Sequence, residues 1–561
     1  MVKRLPSGIS DYERLITDNY YYVDKTLYIE KLENYPNPNV MFLRPRKFGK
    51  TLFTSTLENY YDVLKKDKFD TLFSDTYIGK NPTSSKNRYY ILKFNFSGID
   101  TNNINSTIEG FKREVASSAR VFVQKYNLDF IVNPEDQAED ILDNLFKAFS
   151  LQKPNGKIYV IIDEYDHFAN ELLGFNVSGF KDLVSKNGKV RKWYEILKKG
   201  TESVVDRIFI TGVAPITLDG MTSGFNIVSD ITRDFEFNEM MGFTKKELIE
   251  MMEDQEITSE KIEKLLPVMK ENYDGYRFSL DAEEKMYNSN MTLYFLNQYV
   301  GLGKVPNELV DVNIASDYAK IGRMLNLCKG EKRLEILETT VSGEGIISGI
   351  TEKFNPEIGF GDKEMVSMLY YLGYLTIGET VGIYPRLTIP NKMMREIYSD
   401  YLLKLVREEL KMDFDVGTVY EQMTLETITT GKIDKVIEQL KKYLTNLSNR
   451  DYQRFDEKYV KLIFYCITMN MQMYFVRSEM EVRRKYPDLL LIPRENGKGY
   501  YSVMIEFKYL KKEEAKKLEE KKEEAKTQIE EYASFDELKD LPNLRKYTVV
   551  AVNDEIYVDE V

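Results

Sequence analysis

One stretch constrains the fold more than any other: NVMFLRPRKFGKTLF, residues 39–53. Its first part, from Val40 to Leu43, is short and apolar, which predicts a buried strand. A helix is expected to begin near Gly49, directly after a turn. A strand, a tight turn and a helix in this order are the context that a phosphate-binding loop requires. The stretch therefore predicts a nucleotide site at the end of a buried strand.

The second half of the stretch carries groups that bind phosphate. The backbone amides of Phe48, Gly49, Lys50 and Thr51 would point at phosphate oxygens from the positive end of the helix dipole. Lys50 would reach the β- and γ-phosphates of ATP, and the Thr51 hydroxyl would coordinate Mg²⁺. The alternative is an ordinary helix start, because a GKT sequence alone is a weak signal.

Arg44 departs from the usual form of such a loop, which has glycine at this place. Glycine is favoured there if the turn needs a positive φ, and another residue in that conformation costs on the order of 1 kcal/mol or more. A slightly different turn would avoid this cost. Pro45 stiffens the turn, and Arg44 or Arg46 would add positive charge near the phosphates.

A second motif, YVIIDEYD (159–166), strengthens the nucleotide interpretation. Asp163 at the end of a strand could hold Mg²⁺ through water, and Glu164 could polarise the attacking water. In a third apolar run, FITGV (209–213), Thr211 could sense the γ-phosphate. Alternatively, IIDE is a core strand that meets an exposed acidic turn. His167 has no sequence partner and is expected to be structural or at the surface.

Composition limits the available chemistry. Two cysteines, Cys328 and Cys466, and one histidine exclude a disulfide framework and cysteine- or histidine-rich metal sites. Carboxylates and hydroxyls suit Mg²⁺, which prefers oxygen ligands. The formal net charge of -12 argues against a surface coated for nucleic-acid binding, although it leaves room for a local basic groove.

Membrane insertion and secretion are not expected. No apolar run reaches about 18 residues, so no membrane span is predicted. The N-terminal sequence MVKRLPSGIS lacks the apolar core of a signal peptide, and a cytoplasmic location is expected.

Apolar runs alternate with helical segments in the first half of the chain. Strands are predicted at 39–43, 89–96, 157–163 and 207–213, and helices at 104–126, 135–149 and 179–200. This alternation predicts a parallel sheet covered on both faces. The pattern is helical from about 244 to 300 and mostly helical from 300 to 440. Within the latter, residues 365–391 predict a helix and a two-stranded ribbon that could form a winged-helix unit.

The last part of the chain predicts a second site. Two strands are expected at 486–492 and 500–510, and strand alternation places Glu506 and Lys508 on one face. Asp488 can meet them from the neighbouring strand. Two carboxylates and a lysine suit Mg²⁺-dependent phosphodiester cleavage, with Asp488 and Glu506 as metal ligands and Lys508 orienting water or stabilising charge.

Other residues could complete this second site. On the following charged helix, Gln528 and Tyr532 lie one turn apart and could touch the site or a nucleic-acid strand. Glu457 and Glu479 could add carboxylates. The alternative is solubilising charge, since a Glu-x-Lys pair on an edge strand and a solvated helix face are common.

The chain resembles bacterial AAA-ATPase-like proteins that carry a C-terminal PD-(D/E)XK nuclease-superfamily domain. The likeness covers nearly the whole chain. It is carried by the segments GISDYERLITDNYYYVDKT (8–26), FLRPRKFGKTL (42–52), VIIDEYD (160–166), FITGVAPI (209–216), NYDGYRF (272–278) and GYLTI with IPN (373–391), and by the C-terminal PD, EFK and QIEEY elements. Arginine before the proline is usual in this family. The resemblance matches Lys50 and Thr51 to Walker A, Asp163 and Glu164 to Walker B, and Asp488, Glu506 and Lys508 to the nuclease core.

Together these features predict an α/β protein of four regions. They are a P-loop NTPase (AAA-like ATPase) core at 1–240, a helical lid at 241–300, a helical and winged-helix-like region at 301–440, and a restriction-endonuclease-like mixed α/β domain at 441–561.

Three functions remain open from the sequence. The first is an ATP-dependent enzyme that uses Mg²⁺ and acts on nucleic acid, DNA in preference to RNA. The second is a nucleotide-switched binding module whose nuclease fold is inactive and docks a partner. The third is a defence or mobile-element accessory whose nucleotide site serves stability alone. A homo-oligomer is compatible with each, and neither Arg233 nor Arg277 can be assigned as an arginine finger.

Overall fold

The computed structural model describes the chain in segments. They are residues 2–168, 188–215, 225–306, 309, 331–341, 343–354, 361–410, 417–448, 457–471, 473–477, 487–494, 499–535, 538 and 541–561. The chain divides into two compact units. The first comprises 1–314, 323–328 and 347–391, and the second comprises 315–322, 329–346 and 392–561.

The first unit is built on a five-stranded sheet whose pairings are all parallel. Its strands are β1 (Asn39–Leu43), β2 (Tyr89–Asn95), β3 (Lys157–Asp163), β4 (Val205–Gly212) and β5 (Ser229–Asp230). They lie in the order β2-β3-β4-β1-β5. Apart from the edge strands, their residues are almost wholly buried, which is the mark of a sheet covered on both faces. The four predicted strands and the parallel sheet are confirmed.

Helices of the first unit surround this sheet. They are α1 (Tyr12–Thr17), α2 (Leu27–Asn34), α3 (Lys50–Tyr61), α4 (Phe69–Phe73), α5 (Tyr77–Lys80), α6 (Ile104–Lys125), α7 (Ala138–Gln152), α8 (Lys189–Gly200), α9 (Lys245–Asp254), α10 (Ser259–Tyr273) and α11 (Ser289–Leu302), with 3-10 turns at Val63–Lys68 and Phe235–Phe237. The helix predicted at 104–126 begins where Asn103 and Ser106 cap one another's backbone amides. Of the helix predicted at 179–200, residues 179–187 lie outside the described residues.

The predicted helix and ribbon at 365–391 are present. Helix α13 (Asp362–Tyr371) precedes an antiparallel ribbon of β7 (Thr376–Val381) and β8 (Tyr384–Thr388). A short strand that the sequence did not indicate, β6 (Ile346–Ile347), extends the ribbon to a three-stranded sheet in the order β6-β8-β7.

The second unit combines helices with a mixed sheet. Its helices are α12 (Glu331–Val341), α14 (Lys392–Leu410), α15 (Gly417–Thr430), α16 (Asp434–Ser448), α17 (Glu457–Met469) and α18 (Leu518–Ala533), with a 3-10 turn at Lys512–Lys517. Its strands are β9 (Tyr474–Arg477), β10 (Leu489–Pro493), β11 (Val503–Leu510), β12 (Arg545–Val552) and β13 (Glu555–Glu560), in the order β13-β12-β11-β10-β9. Only β11 and β12 pair in parallel. Helix α18 packs on β11 and β12.

Strand register sets the position of both candidate sites. In the first unit Phe42 pairs with Thr211 and Ile162 with Ile210, so Asp163 ends β3 at the level of Thr211. Carboxyl ends of parallel strands form the usual ligand crevice of such sheets. Across the part of the chain that the structure describes, no helix is both long and apolar enough to cross a bilayer.

Candidate active sites

The turn after β1, residues 44–49, is here called the candidate phosphate loop. Its left-handed residues are Lys47 (φ 69°) and Gly49 (φ 95°), and Gly49 is the N-cap of α3. Arg44 is not among the residues with positive φ. The strain that a non-glycine residue could cause at position 44 is therefore absent, because the turn reverses further along the chain.

Arg44 has a structural place in the core. Its side chain is buried, and the guanidinium carbon lies 4.0 Å from the ring centroids of both Phe42 and Phe278. Its nitrogens donate to four main-chain carbonyls, those of Leu43, Thr232, Phe237 and Asn238. These contacts anchor the candidate phosphate loop. The positive charge of Arg44 therefore points into the core, whereas the sequence analysis predicted it near the phosphates.

Lys50 and the amides beside it present donors on the loop. The Lys50 ammonium donates to the carbonyls of Arg44 (3.0 Å) and Pro45 (3.1 Å) and so closes over the loop. The first amides of a helix have no partner inside it. Within the described ranges, no group accepts a hydrogen bond from the amides of residues 48–51. Phosphate oxygens would satisfy these amides.

Asp163 is a buried carboxylate to which no described residue donates a hydrogen bond. It is fully buried, and neither of its oxygens has a hydrogen-bond partner among the residues that the structure describes. Burial raises the pKa of Asp163, and the charge of Glu164 adds to the rise. Thr51 and Lys50 oppose it, although the Thr51 hydroxyl does not reach hydrogen-bonding geometry with either oxygen.

The packing of α3 on β3 brings the two predicted motifs together. Lys50 and Thr51 lie near enough to influence its pKa although β4 separates β1 from β3. A buried charge needs a counter-ion or hydrogen bonds. An oxygen-preferring cation between Asp163 and Thr51 would supply one, so these residues fit Mg²⁺.

Glu164 has an unusual backbone conformation. Its φ of 52° is left-handed, which is uncommon for a residue other than glycine or asparagine. Such strain is often found at functional sites. Its carbonyl accepts from the amide of the half-buried His167 (3.1 Å), so the turn after β3 is closed. The predicted role of Glu164 with water stays a prediction.

Thr211 and Phe48 are held by neighbouring backbone. The Thr211 hydroxyl is buried and donates to the Phe42 carbonyl (2.8 Å), so a contact with a γ-phosphate would require this bond to break. The Phe48 ring lies edge-on to Tyr276, and its carbonyl accepts from the Gly242 amide and the Ser289 hydroxyl. The ring and carbonyl of Phe48 therefore hold the loop in place, and its backbone amide is the group that could donate to a phosphate.

Sequence reasoning missed Asp166. Its buried carboxylate accepts from the amides of Val213 (3.0 and 3.1 Å) and Ala214 (2.7 Å), and so fixes the end of β3 to the end of β4. A Cβ on Gly212 would lie 2.1 Å from Asp166 Oδ1, which explains glycine there. The last residue of YVIIDEYD was the available signal.

The two arginines considered as fingers are engaged within the first unit. Arg233 forms an ion pair with Glu352, and Arg277 donates to the carbonyls of Ala282 and Gly378. Neither is assigned a catalytic role.

In the second unit, Asp488, Glu506 and Lys508 meet. Leu489 pairs with Ile505 in the antiparallel ladder, so Asp488 lies opposite Glu506. The Asp488 amide donates to Glu506 Oε2 (3.4 Å), and Lys508 Nζ donates to Glu506 Oε1 (3.0 Å). The alternation proposed for β11 and the approach of Asp488 are thus present in the structure.

The electrostatics of Glu506 reflect its burial. Burial raises the pKa of Glu506 to about 7, and the nearby Asp488 charge contributes to the rise. Lys508 and Lys461 act in the opposite direction. A carboxylate with this pKa exchanges its proton close to neutral pH.

Lys461 is the residue of this site that sequence reasoning missed. It lies on α17, and its ammonium is 2.9 Å from both Asp488 Oδ1 and Glu457 Oε1. Burial opposes its charge, but Asp488 and Glu457 raise its pKa above the usual value, so it is an ammonium at neutral pH. Glu457 was considered as a carboxylate of the site, and its spacing of four residues from Lys461 on one helix was the available signal.

The remaining predicted residues differ in what the structure describes. On α18, Gln528 has a buried Oε1 with no hydrogen-bond partner among the described residues, and Tyr532 packs against Phe535. Glu479 lies outside the described residues. The described residues contain no group of three or more acidic, histidine or cysteine side chains that could hold a metal ion. Asp488 and Glu506 are the predicted metal ligands that the structure brings together here.

The two units define a class of protein. The first has the parallel sheet of a P-loop NTPase, and the second has the mixed sheet of a restriction-endonuclease-like domain. Residues 6–222 match the family model described as "Predicted AAA-ATPase", and residues 455–560 match that of the "PD-(D/E)XK nuclease superfamily". Residues 6–222 are therefore an AAA-ATPase-like region, and residues 455–560 are a PD-(D/E)XK nuclease-superfamily region.

Individual relatives are distant. A protein of Azotobacter chroococcum mcd 1, described as "Uncharacterized protein in vnfD 5'region", is 22% identical over 430 residues, which are 75% of this chain and 74% of that protein. Two solved structures from Aeropyrum pernix are similar. ORC2 in ADPNP-ADP complexes has 9% identity and a TM-score of 0.32, and covers 70% of this chain and 98% of its own. ORC1 in complex with DNA has 10% identity and a TM-score of 0.28, and covers 71% and 95%. Likeness at these scores supports no conclusion about this chain.

Proposed function

We propose that this protein binds and hydrolyses ATP with Mg²⁺ in its first unit, and that its second unit cleaves nucleic acid, DNA in preference to RNA. In this proposal the nucleotide state controls cleavage. The observation that carries it is Asp163, a buried carboxylate beside Lys50 and Thr51 that has no hydrogen-bond donor in the described ranges. A protein retains such a costly group where a bound cation compensates it.

In the first unit, each residue has a defined task. The amides of residues 48–51 and the Lys50 ammonium would bind the phosphates, while Thr51 and Asp163 would hold Mg²⁺, which would neutralise charge on the phosphates. Glu164 orients water for attack on the γ-phosphate. Arg44 acts indirectly, because its carbonyl bonds fix the start of the loop.

In the second unit, Asp488 and Glu506 would hold Mg²⁺, and the ion would supply an activated water and shield the phosphodiester. Lys508 is placed beside Glu506 to orient that water or to stabilise developing charge. Gln528 and Tyr532 lie on the helix that packs on β11 and are proposed to contact the strand that is cleaved.

A second candidate function is a nucleotide-switched binding module. It is favoured by the ion pairs at the second site, because Lys461 already contacts Asp488 and Lys508 already contacts Glu506. In that case ATP would change the affinity for a partner, and Glu506→Ala would leave the function intact.

Cleavage of linear and supercoiled DNA with Mg²⁺, with and without ATP, tests the proposal. We expect Lys508→Ala to abolish cleavage and Lys50→Ala to abolish ATP hydrolysis together with the effect of ATP on cleavage. The exposed Lys511 and Lys66 offer matched controls, and their alanine variants are expected to behave as wild type. ATP hydrolysis without any DNA or RNA cleavage would favour the binding module, and absence of both activities would reject the proposal.

A further inference from the structure

The two predicted magnesium sites differ in how their carboxylates are satisfied. Both oxygens of Asp163 lack a partner among the described residues. In the second unit every oxygen of the acidic pair is engaged. Asp488 Oδ1 contacts Lys461 Nζ (2.9 Å), Asp488 Oδ2 accepts from the Phe507 amide (2.8 Å), Glu506 Oε1 accepts from Lys508 Nζ (3.0 Å), and Glu506 Oε2 accepts from the Asp488 amide (3.4 Å).

The two lysines of this cluster are held differently. Lys508 projects from a central strand, its side chain is 9% exposed, and besides Glu506 its ammonium lies 3.7 Å from Glu524 Oε1. Lys461 projects from α17, its side chain is 23% exposed, and its ammonium also contacts Glu457, whose side chain is 41% exposed. Lys461 thus has a second acceptor toward solvent. Its ammonium can leave Asp488 without losing its pairing with Glu457, whereas the second acceptor of Lys508 is farther away and the Lys508 side chain is less exposed.

Charge balance makes the position of Lys461 significant. Lys461 and Lys508 are the ammonium groups that face the buried carboxyl groups of Asp488 and Glu506. Buried charges persist when they are paired. If Lys461 withdraws, Asp488 Oδ1 loses its ammonium partner, and the freed carboxylate oxygen is a ligand of the type that divalent ions prefer.

We infer that Lys461 is an internal counter-ion that occupies the cation position of the metal-free nuclease-like site and is displaced when a divalent metal binds. This inference rests on the proposed function of the same site and deepens it. Lys461 is a positioning residue, which acts through Asp488 and sets the affinity of the site for metal. A low occupancy by Mg²⁺ would keep the second unit inactive until substrate phosphates add further ligands.

Metal titration without nucleotide or nucleic acid tests this inference. The probe is Mn²⁺ or Mg²⁺ alone, measured by isothermal titration calorimetry on the full chain. Asp163→Asn serves as the background, because it removes the other predicted magnesium ligand. We expect Lys461→Met to bind the metal at least about tenfold more tightly than its Lys461 parent, which corresponds to about 1.4 kcal/mol.

Two further variants keep the result interpretable. Lys461→Arg retains the charge and is expected to bind metal no more tightly than the parent. Lys458→Met removes a lysine from the same helix that pairs with Glu344 at an exposed position, and is expected to leave metal affinity unchanged. Should Lys461→Met misfold, Lys461→Gln provides the same comparison.

Equal or weaker metal binding by the Met and Gln variants, or no binding by any variant, would overturn the inference. Its failure can be told apart from failure of the proposed function. Mg²⁺-dependent cleavage with unchanged affinity in Lys461→Met would reject the counter-ion alone. Tighter metal binding by that variant without cleavage by the wild type would reject the nuclease function alone.

Discussion

Replacement of Asp163 by asparagine is expected to stabilise the nucleotide-free protein. The wild-type carboxylate is fully buried, and within the described residues no group donates to it. A buried polar group without a partner costs about 1–3 kcal/mol, and more when it is charged. Lys50 and Lys93 partly compensate this charge, so we expect a gain of about 1 kcal/mol for the isosteric, neutral asparagine.

The stability gained by Asp163→Asn depends on pH in a defined direction. Burial raises the pKa of Asp163 in the folded state above its ordinary value of 3.8. The folded protein therefore binds the proton more tightly, and its stability falls as pH rises from about the ordinary value through the raised one. The advantage of Asp163→Asn should grow as pH rises through the raised pKa and should disappear in acid, where the carboxyl is protonated in both the folded and the unfolded state.

Urea unfolding followed by tryptophan fluorescence provides the assay. Trp193 is the single tryptophan of the chain, and it is buried in the first unit, so the signal reports on that unit. Asp166→Asn is the matched control. It changes another buried aspartate of the same motif, but one that accepts from two amides, and it should destabilise by about 1.5–3 kcal/mol.

Addition of Mg·ATP should make the wild type more stable than Asp163→Asn, the reverse of the order without nucleotide. At about 100 times its dissociation constant, a ligand stabilises the folded state by about 2.7 kcal/mol. We expect this gain in the wild type and a much smaller gain in Asp163→Asn. If Asp163→Asn destabilises as Asp166→Asn does, or keeps the full gain from Mg·ATP, the reasoning is refuted.

Three further predictions concern the loop, its neighbour strand and the second unit. Arg44→Gly restores the common loop sequence, yet it should destabilise the first unit by about 3 kcal/mol and weaken ATP binding, because buried carbonyls lose their donors. Tighter ATP binding by this variant would contradict the anchoring role of Arg44. Gly212→Ala should lower the free energy of unfolding and displace Asp166, because the new Cβ would lie 2.1 Å from Asp166 Oδ1. If the variant unfolds at the same urea concentration as the wild type, the strand ends can relax to accept the Cβ. Mg²⁺ affinity of the second unit should rise between about pH 6 and 8, because the pKa of Glu506 is about 7 and the proton competes with the metal. Calorimetry checks this, and Glu506→Gln should abolish the pH dependence.

Local pattern predicted the parts of the structure that depend on neighbours in sequence. The apolar run before Asp163 and the two-residue alternation of Glu506 and Lys508 specify a strand and its faces without knowledge of the fold. The position of Gly49 at a helix start followed from the same kind of signal.

The features that the sequence did not predict depend on packing between residues that are far apart in the chain. The Arg44 guanidinium is held by carbonyls of Thr232 and Phe237, almost 200 residues further along the chain, so no local pattern indicates its burial. Lys461 precedes Asp488 by 27 residues, and only the packing of α17 on β11 brings it to the acidic pair. The predicted roles of individual site residues remain predictions.

Calorimetric titration of the full chain with ATP, in the presence and absence of Mg²⁺, tests the central claim most directly. We predict Mg²⁺-dependent binding of one ATP per chain to the wild type, and affinities reduced at least about a hundredfold in Lys50→Ala, about 2.7 kcal/mol, with Lys66→Ala unchanged. Binding that is equally tight in Lys50→Ala, or the absence of any binding by the wild type, would contradict a nucleotide site built from Lys50, Thr51 and Asp163.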